Sequence, residues 1–81
     1  MKFELYFKPQ CPYCLKVLNF LHEEGIHDYV SYNIEDGISG PENKKNLEAH
    51  GGKVQVAYLV KEDGTGMYES DDIIEYIKEN I

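Results

Sequence analysis

The chain has 81 residues, 42% of them hydrophobic, and sets fifteen acidic side chains against eight lysines and no arginine, for a formal charge of −7. That length fits one small domain, residues 1–81, hiding only about 60–65% of its unfolded surface. The acidic balance argues against nucleic acid and against anionic membranes, both bound through lysine and arginine. No apolar run approaches the 18 or so residues of a bilayer span.

Met1 to Phe7 carries one lysine and then alternates, unlike the apolar block of a secretion signal, so cytoplasm is the expected address. Phe3, Leu5 and Phe7 fall on one face of a strand. Lys8 to Pro12, with two prolines, reads as a loop. From Tyr13 the apolar spacing turns helical through Cys14, Val17, Leu18 and Leu21, and Gly25 supplies the stop. Tyr29 to Ile34 is rich in β formers and makes a second strand. After a loop over Glu35 to Gly40, Pro41 suits the first turn of a helix to His50, with a thin apolar face of Leu47 and Ala49. Gly51 and Gly52 end it. Val54 to Val60 reads as a third strand, and Glu62 to Gly66 turns a hairpin into a short fourth strand at Met67-Tyr68. Ser70 or Asp71 is the expected cap of a last helix that carries Ile73, Ile74, Ile77 and Ile81 on one side. The order β-α-β-α-β-β-α gives an α/β fold. Its first two strands are parallel through a right-handed crossover and its last two antiparallel, in a four-stranded mixed sheet with helices on both faces.

Both cysteines sit in Cys11-Pro12-Tyr13-Cys14. Closing so small a ring stabilises a fold by only about 2 kcal/mol before strain, and it tethers nothing distant. Such a bridge makes more sense as one that opens and closes. Cys11 falls at a helix N-terminus, where unpaired N–H groups and the helix dipole favour a thiolate. Lys8 adds a nearby positive charge. Cys14, shielded inside the first turn, is placed to resolve a mixed disulfide formed on Cys11. A C-x-x-C pair is also half a zinc site, but His22, His27 and His50 show no paired spacing and read as surface residues, so no bound metal is expected. At a strand–helix junction the motif reads as a thioredoxin-like redox site.

On these residues the sequence resembles the glutaredoxins over essentially its whole length. Cys11-Pro12-Tyr13-Cys14 matches that family's dithiol motif. Val54 to Val60 falls where the family has its Val-Pro loop and third strand, and Tyr68 to Ile74 where it has the γ-glutamyl-binding turn and final helix. The last stretch also resembles the Glu-Ser motif of the glutathione transferase N-terminal domain. The resemblance implies a thioredoxin-like fold and a glutathione-dependent thiol–disulfide oxidoreductase, with catalytic Cys11 and Cys14. It implies glutathione as co-substrate and disulfide-containing or glutathionylated proteins as partners of a monomer. Lys8 would pair with the glycyl carboxylate and Tyr13 would line the groove. The Val56 backbone would bond to the cysteinyl part. Ser70 and the Asp71 N–H would receive the γ-glutamyl carboxylate, and the Asp71 side chain the ammonium.

One position departs from the pattern. Ala57 stands where the family has a cis-proline. A non-proline cis bond costs about 2.5–4 kcal/mol, so Val56–Ala57 is expected trans, the loop looser and the activity weakened. Two other readings stay open: a thioredoxin-like electron donor served by a flavoprotein reductase, and a non-catalytic module holding an iron–sulfur cluster or a metal through Cys11.

Overall fold

A computed structural model describes residues 2–80. Its elements run β1 (Glu4–Phe7), α1 (Pro12–Glu23), β2 (Val30–Asn33), α2 (Gly40–Gly51), β3 (Tyr58–Val60), β4 (Gly66–Met67) and α3 (Ser70–Glu79). This is the β-α-β-α-β-β-α order expected from the sequence. The sheet order is β2-β1-β3-β4, with β1 parallel to β2 and antiparallel to β3, and β3 antiparallel to β4.

As a central strand, β1 packs on both faces. Phe3 and Leu5 join Cys14, Val17, Leu21, Ala57, Leu59, Ile73 and Ile77 in a core between the sheet and the α1/α3 pair. Tyr6 points the other way and meets Ile34, Leu47, Tyr58 and Val60 beneath α2. The helix-period residues of α1 and α3 are therefore buried as their spacing requires, Leu18 and Ile74 only in part. Ile81 lies outside the described residues.

Helix α1 ends in a Schellman motif: the Ile26 N–H donates to the Leu21 carbonyl at 2.9 Å and the Gly25 N–H to that of His22 at 3.1 Å, with Gly25 at φ 68°. The stop read at Gly25 is thus a specific hydrogen-bonded turn.

Several local expectations are corrected. Helix α2 buries Gly40, Asn43 and Leu47, whereas Ala49 is exposed. Asn43 is the polar member of that stripe because its Nδ2 donates to the Asn33 carbonyl at 3.0 Å, tying the helix to the end of β2. Strand β3 begins at Tyr58 and not at Val54, because its partner β1 turns away: the register runs Glu4 to Val60, Leu5 to Leu59 and Tyr6 to Tyr58. Val54 to Ala57 then has no strand to pair with. Strand β4 is Gly66–Met67, one residue earlier than expected. Helix α3 has Glu69 at its N-cap, so Ser70 and Asp71 are its first two helical residues and neither is the cap. Finally, the Val56–Ala57 peptide is cis, contrary to the trans expectation. Ala57 is buried in the α1/α3-side core. The looser loop and weakened activity inferred from a trans bond lose their premise.

Candidate functional site

Strand β1 delivers the chain into the turn from Lys8 to Cys11, closed by a Cys11 N–H to Lys8 carbonyl hydrogen bond of 3.1 Å. Cys11 is the N-cap of α1 with an extended backbone (φ −80°, ψ 119°), and Pro12 opens the helix. This is the placement read from the sequence. Both cysteines are free thiols, Cys11 half-buried and Cys14 buried.

Their environments drive them apart. Partial burial works to raise the Cys11 pKa, but the Cys14 N–H and thiol, the Tyr13 N–H and the Lys8 charge outweigh it and lower it. The neutral thiol makes no side-chain capping bond, so these N–H groups act on the anion. Burial, assisted by the hydrogen bond and charge of Cys11, pushes Cys14 up to about 11 against the opposing effect of Lys8. One sulfur is poised as a nucleophile and the other is held as a thiol.

Two adjoining cavities flank this turn. One, of about 370 Å³, is lined by Lys8, Cys11, Ile34, Glu35, Lys44, Val54, Gln55 and Val56. The other, of about 290 Å³, is lined by Tyr13, Gln55, Val56, Ala57, Glu69, Ser70 and Asp71. Gln55 and Val56 belong to both, so the segment freed from β3 forms the wall common to the two halves. The structure brings Lys8, Cys11 and Val56 together on one side, and Tyr13, Val56, Ser70 and Asp71 on the other. Tyr13 is 66% exposed, as a groove wall and not a core residue. Ser70 is buried at the first turn of α3. Cys14 lines neither cavity and lies in the core behind Cys11.

The sequence reading passed over Gln55, Glu69, Lys44 and Lys16. Gln55 had a signal in its place beside Val56. Lys44 had none, since a lysine on a polar helix looks solvated. Lys16 pairs with Asp71 from 55 residues away, linking α1 to α3. Among the described residues no group of three or more His, Cys, Asp or Glu side chains is placed to hold a metal ion, and no helix is long and apolar enough to cross a membrane.

The glutathione S-transferase N-terminal domain model matches residues 5–81. The chain belongs to that family. No curated protein sequence matches this chain. Among solved structures it is similar to a glutathione transferase family member from Pseudomonas fluorescens with bound glutathione, at 23% identity and a TM-score of 0.78, over 96% of this chain and 38% of that one. It is also similar to the glutaredoxin of Archaeoglobus fulgidus, at 26% identity and a TM-score of 0.69, over 94% of this chain and 85% of that one. Glutaredoxin 2 of Salmonella typhimurium, in complex with glutathione, matches at 24% identity and a TM-score of 0.69, over 93% of this chain and 32% of that one. The domain therefore has the thioredoxin-like fold, and it spans about a third of the length of two of these three relatives.

Proposed function

We propose that the chain is a glutathione-dependent thiol–disulfide oxidoreductase. The observation that carries the reading is the Cys11 sulfur, its pKa lowered at the start of α1, opening into one of two adjoining cavities whose far ends differ in chemistry. Lys8 and Lys44 suit a glycyl carboxylate at one end. The first turn of α3, with Ser70 and Asp71, suits a γ-glutamyl group at the other. The Val56 backbone lies between them for the cysteinyl part. Relatives solved with bound glutathione support the same ligand here.

In the proposed reaction the Cys11 thiolate attacks the glutathione sulfur of a protein–glutathione mixed disulfide. The protein thiolate leaves and takes up a proton, and Cys11 is left bonded to glutathione. A second glutathione thiolate then attacks that glutathione sulfur, releasing glutathione disulfide and restoring Cys11. Cys14 offers an internal route by attacking the Cys11 sulfur. Burial is the largest cause of its raised pKa and persists when Cys11 is modified, so little of Cys14 is thiolate at neutral pH and an external glutathione thiolate offers the second route. The protein partners on this reading are disulfide-containing or glutathionylated proteins of a reducing compartment such as the cytoplasm.

The test is turnover of a glutathione mixed disulfide by wild type, Cys11→Ser and Cys14→Ser. Loss in the first variant and retention of most turnover in the second is expected. Full turnover by Cys11→Ser refutes the reading.

The family match favours a second reading, glutathione conjugation. There the activated thiolate belongs to glutathione, so coupling to an aryl halide that survives Cys11→Ser would select it.

A further inference from the structure

The ion pair between Lys16 and Asp71 puts a cation on a carboxylate of the smaller cavity. That cavity has two acidic groups in its lining, Glu69 and Asp71, and no basic one. A ligand ammonium entering it has Asp71 as a natural partner, but one Asp71 carboxylate oxygen already accepts from Lys16 Nζ. Both side chains are open to solvent, 54% and 79% exposed, so the pair is free to exchange partners.

We infer that Lys16 is a specificity-determining residue that competes with the ligand's ammonium for Asp71. The inference rests on the proposed glutathione site and concerns its γ-glutamyl end. Exposed pairs are weak, and their usual worth corresponds to roughly a one-and-a-half- to fivefold change in affinity. The lysine therefore acts as a lever and not as a lock. It lowers affinity for ligands that bring an amino group and leaves undiminished, or favours, those that bring only carboxylates. Removing it should sharpen the preference for an amino-bearing ligand, and the gain should shrink as salt screens the charges.

The test measures binding of glutathione and of its desamino analogue, glutaryl-cysteinyl-glycine, to wild type, Lys16→Met, Asp71→Asn and the double variant, at low and high ionic strength. Lys16→Met should tighten glutathione by about one and a half- to fivefold at low salt, leave the analogue unchanged or weaker, and lose this gain in the Asp71→Asn background. Equal gains for both ligands overturn the inference, as does weaker glutathione binding by Lys16→Met. A gain that survives Asp71→Asn also overturns it, since the lysine then acts through Glu69 or the general field. If glutathione binds none of the four proteins, the functional reading itself fails and the inference falls with it. Binding with an unchanged preference removes the inference alone.

Discussion

Cys11 and Cys14, one helical turn apart, are driven to opposite sides of the ordinary thiol pKa of 9.0, Cys11 below it and Cys14 up to about 11. The same three-residue spacing places one sulfur before the helix, facing its free N–H groups, and the other inside the first turn against the sheet. Position on α1 thus divides the labour between two chemically identical side chains.

This division is visible by alkylation. The pH–rate profile of iodoacetamide with Cys14→Ser should show one thiol with its midpoint below 9.0. In Cys11→Ser the remaining thiol should stay slow at neutral pH and titrate above 9.0, because burial, the largest cause of its shift, is unchanged. A Cys11 midpoint at or above 9.0 would remove the basis of the proposed chemistry.

Lys8 favours both thiolates by charge. Lys8→Gln should therefore raise the Cys11 midpoint and slow its alkylation at neutral pH. Added salt should move wild type in the same direction and leave the variant nearly unaffected, since only a charge effect is screened. A midpoint unmoved by Lys8→Gln would show that the N–H groups and the Cys14 thiol act without help from the Lys8 charge.

Elements with a strong local period were legible in the chain: the alternation of Phe3, Leu5 and Phe7, the spacing through Cys14, Val17 and Leu21, and the Ile73–Ile77 stripe. Cys11 at the helix start and Gly25 at its end were legible for the same reason, since caps are set by residues close in sequence. Ala49 and Val54 were misread because tertiary context decided them. Asn43 earns its burial from the Asn33 carbonyl, and Val54 has no partner because β1 has already turned away. The Lys16–Asp71 pair lay outside any local pattern. The cysteine half of the candidate site was thus readable as a motif, while the cavity walls depended on how distant segments meet.

The β-hairpin offers a steric test on the sheet face beneath α2. A Cβ at Gly66 would stand 1.7 Å from Tyr58 Oη, and one at Gly51 would stand 2.1 Å from Tyr68 Oη. Tyr58 is only 2% exposed, and its hydroxyl lies 2.5 Å from His50 Nδ1, so it has nowhere to go. Tyr68 is half-buried, and its hydroxyl donates to the Lys53 carbonyl at 2.9 Å in an exposed bond that water can replace when the ring swings aside. Gly66→Ala should destabilise by roughly 1–3 kcal/mol in denaturant melts, and Gly51→Ala by less. Equal costs would show that the Tyr58 ring is as free to move as that of Tyr68.

Alkaline stability follows from the direction of the Cys14 shift. Its folded pKa is raised from 9.0 to about 11, so the native state prefers the protonated thiol more strongly than the unfolded chain does. The corresponding stability is fully present below pH 9.0 and drains away as pH climbs towards about 11. A shift of this size corresponds to something on the order of 2 kcal/mol. Cys11 has the opposite sign: its contribution is present above 9.0 and is lost as pH falls through its lowered folded pKa. Burial also raises Tyr6 and Tyr58, which adds to the alkaline loss at higher pH. Cys14→Ala separates these effects. It should cost stability at neutral pH by opening a small cavity, yet the difference from wild type should narrow steadily above pH 9, as followed by urea unfolding of the reduced proteins. A difference that stays constant across that range would mean that Cys14 ionises alike in the folded and unfolded chains.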